Sequence, residues 1–121
     1  MSAVGSTHIY NNKGKIMLTN AKIIARQKRL SDKYLQKAKA WTENAEVLFE
    51  RAKTETGVSQ VDTLLSASRE LGRALTYMDV ISDMGLWNNP HLIRARANQA
   101  ILETRIFAKQ LEISQAEGGA E

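Results

Sequence analysis

Cysteine is absent from the 121 residues, proline occurs once, and aromatic residues make up only 6%. Without thiols there is no disulfide framework, no thiolate metal site and no cysteine nucleophile. That absence fits a reducing compartment. With Pro90 the only proline, long stretches are free of helix breakers. Between residues 20 and 116 glycine is confined to Gly57, Gly72 and Gly85, positions that punctuate rather than pervade that stretch. No segment approaches the run of about 20 apolar residues that spans a bilayer. The opening "MSAVGSTHIYNNKGKIML" lacks the charged-then-apolar layout of a signal peptide, so the expected location is cytoplasmic or within an intracellularly assembled particle.

Acids are scarce at the front. Residues 1–41 hold nine Lys and Arg against one acid, Asp32, whereas residues 42–121 hold eight against twelve. The formal charge of +4 is therefore the sum of a basic front and an acidic back. Such asymmetry is a reason to look for an anionic partner, or for charges that complement each other inside the fold.

What is present is helix-forming and amphipathic. Hydrophobic content of 43% and charged content of 25% belong to a globular chain of one domain's size. "HIYNNKGKIML" carries a turn-forming centre between two short apolar pieces, the pattern of a β-hairpin or extended arm over residues 1–19. From Asn20 to Thr56 one helical pattern runs without Pro or Gly, capped by Thr19 or Asn20 and stopped by Gly57. Its seam is heptad-like: Tyr34, Trp41 and Leu48 form one row, and Ala38, Ala45 and Ala52 the next. Ser59, with Asp62 three residues on, reads as the cap of a second helix over 59–84. That helix bears a stripe of Val61, Leu64, Leu65, Ser68, Leu71, Leu75, Met78 and Ile81 and ends at Gly85, while Gly72 and Ala74 leave room for a neighbour. "NP" at Asn89–Pro90 is a cap followed by proline at the first helical position, opening a third helix over 90–116 before a flexible tail, 117–121. The expected fold is all-α: an antiparallel three-helix bundle with an over-long first helix.

The third helix is apolar on more than one side. One row comprises Ile93, Ala97, Ala100, Ile101, Thr104, Phe107, Ala108 and Leu111; a second comprises Leu92, Ala95, Leu102, Ile106 and Ile113. A helix with two apolar faces must bury both. The second row, with Leu92, Leu102, Ile106 and Ile113 at its centre, is the expected protein interface, and Trp87 at the preceding corner is a candidate anchor.

Charge placement offers a second surface. At 100° per residue, Lys22, Arg26, Arg29, Lys33 and Lys37 fall within an arc of about 80° on the first helix. With Arg94 and Arg96 they are the candidate phosphate contacts. The alternative is internal: an antiparallel second helix would return Asp79 and Asp83 beside the basic half, and Arg69 and Arg73 beside Glu43, Glu46 and Glu50. Catalytic and metal signatures are missing. His8 and His91 have no ligand-spaced helical partner, no Ser/His/Asp arrangement is apparent, and "GLWNNP" is not a phosphate loop.

The expectation is a non-enzymatic structural or adaptor subunit without cofactor or metal, which self-associates or docks on a larger assembly through helix 3 and the N-terminal arm. A virion or secretion-type assembly is a setting such small cysteine-free subunits suit. The competing expectation is a nucleic-acid-binding or regulatory protein that uses the basic stripe.

Overall fold

A computed structural model describes residues 20–119, and among them every regular element is helical. Helix α1 spans Asn20–Ala52, α2 spans Gly57–Ile81 and α3 spans Pro90–Gly119. A widened, π-type turn over Ser82–Leu86 leads out of α2. The arm expected over residues 1–19 lies outside the described residues. The chain divides into two units, Met1–Lys33 and Tyr34–Glu121. The described part of the first is the opening of α1, where Lys28 and Asp32 form an ion pair one turn apart at 3.2 Å.

The second unit is a helical bundle built on an alanine row. Ala38, Ala45 and Ala52 are fully buried, while the larger Tyr34, Trp41 and Leu48 are half-buried beside them. Small side chains at heptad spacing let neighbouring backbones come close. Two core clusters form along this row. Leu35 and Ala38 meet Ala74, Met78, Ile81, Leu92 and Ala95 in one. Ala45, Phe49 and Ala52 meet Leu64, Ala67, Leu71, Leu102 and Ile106 in the other. These groupings run α2 antiparallel to its neighbours and α3 parallel to α1 within this unit.

On α2 the buried face is Thr63, Leu64, Ala67, Leu71, Ala74, Met78 and Ile81. Val61, Leu65 and Ser68, expected on that stripe, are instead exposed. Their positions fall to one side of the arc that ends at Ile81, so Ala67 and Ala74 take the inner places. Ala74 is indeed closed in, but Gly72 faces open space and admits no neighbour from this chain.

The corners follow local chemistry. α1 ends earlier than its pattern implied, at Ala52, where Glu55 N donates to Ala52 O at 3.2 Å and the Gln60 amide donates to the same carbonyl at 2.9 Å. Those bonds satisfy a helix-end acceptor that would otherwise be unpaired. Gly57, at φ +66°, opens α2 with Thr56 as its cap residue. Ser59 therefore lies inside the helix rather than capping it, and its hydroxyl donates to the Glu55 carboxylate at 3.1 Å. Asn89 caps α3 as its sequence implies: its Oδ1 accepts from His91 N at 2.8 Å and Leu92 N at 3.3 Å. α3 continues to Gly119, past the end expected at residue 116.

Gly72 and Gly85 should respond to alanine with opposite signs. Gly72 is mid-helix with nothing within 4 Å of an added Cβ, so Gly72→Ala should stabilise by about 0.5–1 kcal/mol. Gly85 sits at φ +83°, so Gly85→Ala should destabilise by about 1–2 kcal/mol. Urea denaturation of the two variants checks both.

Glu55 gives a pH signature. The Thr63 hydroxyl, aided by the Ser59 hydroxyl and the Arg51 guanidinium, holds this carboxyl below its ordinary 4.5, against partial desolvation that pushes it up. A lowered folded-state value means stabilisation that is complete above 4.5 and fades as pH falls through the folded value. Glu55→Gln should flatten that part of the stability–pH curve, measured by thermal melting between pH 3 and 6.

Candidate association surface

The two apolar rows of α3 take opposite roles. Leu92, Leu102 and Ile106 are 0%, 5% and 2% exposed and belong to the chain's own core, and Ile113 packs against the same core. The row expected to meet a partner is thus closed within the chain. The other row is open: Ile93, Ile101, Phe107 and Leu111 are 54%, 52%, 63% and 47% exposed. At 100° per residue these four, with Ala97, Ala100, Thr104 and Ala108, share an arc of about 120° pointing away from the buried face. From Ile93 to Leu111 the stripe is about 27 Å long. Trp87, in the corner before α3, is also exposed, at 68%.

One edge of this stripe borders a groove of about 620 Å³ between α1 and α3. Its rim carries Lys39, Glu43 and Glu46 from α1 and Arg94 and Arg105 from α3, and Ala95 and Leu102 lie along its floor. Among the described residues none of these five side chains makes an ion pair or side-chain hydrogen bond. Ile101 lines the groove as well, so apolar stripe and charged rim are continuous. Sequence periodicity had both rows of α3 in view but did not connect either to the α1 charges, which lie some fifty residues away in the chain.

Of the candidate phosphate contacts in the second unit, Lys37, Arg94 and Arg96 each meet different surroundings. Arg96 is committed to α2: its guanidinium donates to Asp79 at 3.0 Å and to the Ser82 hydroxyl at 2.8 Å. Arg94, two residues earlier, points to the other flank of α3 and lines the groove. Lys37 lies over the Tyr77 ring at 5.9 Å, and Tyr77 in turn stacks on Tyr34 with centroids 5.8 Å apart. In the first unit Lys22, Arg26, Arg29 and Lys33 are exposed along one flank of the opening of α1.

The internal charge pairing expected between α1 and α2 takes another form. Asp79 is held by Arg96 of α3, and Arg73 pairs with Glu70 of its own helix at 3.3 Å while covering the Trp41 ring at 4.8 Å. Helix α2 thus approaches α1 through rings and methylenes, with an arginine over a tryptophan rather than against a carboxylate. Trp41 and Tyr34 both border the core.

Among the described residues no cluster of three or more His, Asp or Glu could hold a metal ion, and no helix is long and apolar enough to cross a membrane. No protein family, curated protein or solved structure matches the chain.

The two rows of α3 are separable by mutation. Leu102→Glu with Ile106→Glu places charge in a closed core and should abolish cooperative unfolding. Ile101→Glu with Phe107→Glu should leave the helical circular dichroism and the melting temperature of the monomer essentially unchanged.

Proposed function

We propose that the chain is a non-enzymatic structural or adaptor subunit that self-associates or docks on a larger assembly through the solvent face of α3. The observation that carries this reading is the exposure of Ile93, Ile101, Phe107 and Leu111 together on the face opposite the core. Isolated exposed apolar residues are ordinary, but four large ones aligned along a single helix mark an interaction surface. Burying such a side chain fully is worth about 1.5–3 kcal/mol, and about half of that is still to be gained here. Eight of them across a pair of copies would contribute roughly 8 kcal/mol, comparable with the association cost of about 4–15 kcal/mol. The stripe is thus strong enough to drive pairing only where the surrounding charges do not oppose it.

A second reading rests on a different observation. Arg26, Arg29 and Lys33 share an exposed flank of α1 and make no ion pair among the described residues. Such a flank suits phosphate contacts of a nucleic acid, with affinity falling steeply as salt rises.

Light scattering separates the two. The self-association reading expects a defined oligomer that is indifferent to a mixed oligonucleotide and becomes monomeric in the Ile101→Glu, Phe107→Glu variant. A monomer at every concentration overturns self-association. A mass that grows only with oligonucleotide, and falls back in salt or on Arg26→Glu with Arg29→Glu, supports the second reading.

A further inference from the structure

We infer that α3 pairs antiparallel with α3 of a second copy, the exposed apolar stripe of each helix lying on that of the other. The inference rests on the self-association reading and adds its partner, direction and register.

The partner follows from the charges. The flanks of the stripe carry both signs, Arg94, Arg96 and Arg105 against Glu103, Glu112 and Glu117. A nucleic acid or an acidic peptide would meet repelling carboxylates there. A basic peptide would meet repelling guanidinium groups. A surface that brings its own opposite charges is complementary to a second copy of itself, as an isologous contact requires.

Direction follows from the layout along α3. Its first half holds Arg94 and Arg96 with no acid before Glu103, and its end holds Glu112 and Glu117 with no base after Lys109. A parallel pair sets like against like at both ends. An antiparallel pair sets Arg94 near Glu112 of the second copy, twice per dimer.

Register follows from the stripe. A two-fold axis at Thr104 faces Ala100 with Ala108 and Ala97 with Leu111, so small residues oppose small or large ones and the helices can approach closely. Ile101 then fills one side of the seam and Phe107 the other.

The natural absence of cysteine makes the test clean, because any disulfide must come from an introduced thiol. Three single variants of the full chain are oxidised: Thr104→Cys, Ala97→Cys and Leu111→Cys, all at exposed positions. A disulfide needs Cβ atoms within about 4.5 Å, so only facing positions react efficiently. The expected result is covalent dimer from Thr104→Cys alone, none from Ala97→Cys or Leu111→Cys alone, and dimer when those two are mixed. Covalent dimer from all three alone means a parallel pair and overturns the inference while self-association stands. Light scattering on the same reduced samples reads the underlying proposal independently, since a monomer removes both. The end-to-end charge contact is read by Arg94→Glu, expected to weaken the dimer at least tenfold, with recovery on adding Glu112→Arg. A dimer constant unmoved by Arg94→Glu overturns the charge-set direction.

Discussion

Close approach to α1 along Ala38, Ala45 and Ala52 sets the rest of the bundle. Each of these methyl groups is fully buried, and each of the two core clusters is assembled around them. Because alanine occupies so little depth, most large residues of the interior come from the other helices, Leu64, Leu71 and Met78 of α2 and Leu92, Leu102 and Ile106 of α3, while α1 adds Leu35 and Phe49. The aromatic row next to the alanines is left to seal the flank, with Tyr34 on Tyr77 and Trp41 beneath Arg73. Replacing an alanine of this row by a larger residue would push a whole helix outward, since close-packed interiors accept little added volume.

That arrangement has a consequence for α3. A helix packed on one side against α1 and α2 has one face inside, yet α3 carries apolar residues on two. The inner face is closed by Leu92, Ala95, Leu102 and Ile106, which leaves Ile93, Ile101, Phe107 and Leu111 in solvent. That aligned, exposed apolar face is what the proposed association rests on. The ion pairs that the chain does form are mostly exposed and lie mostly within single helices, each worth at most about 1 kcal/mol. Packing, not charge, holds the bundle.

Much of the architecture was legible in the sequence because local chemistry dictates it. The Asn89–Pro90 start of α3 and the heptad spacing of the α1 alanines each act over a few residues, and the structure realises both, while α2 stops at Ile81, short of the expected end at Gly85. The end of α1 was less legible. Residues 53–56 continue a helical composition, but Gly57 at φ +66° and the Gln60 bond to Ala52 O turn the chain before them. Ser59 had the composition of a cap and became a mid-helix donor to Glu55 for the same reason.

What the sequence by itself determined is that three helices form, that α3 starts at the Asn89–Pro90 corner, and that α3 carries two apolar faces. Periodicity and capping are local, so one strand of text contains them. Which of the two faces turns inward was decided only by tertiary structure. The rows are similar in hydrophobicity, and the choice depends on how α3 docks onto residues of α1 distant in the chain. The same docking separated Arg94 from Arg96, sending one to the groove and the other to Asp79. A two-residue spacing on a helix places side chains on different flanks, and only the neighbours packed there determine what each flank meets.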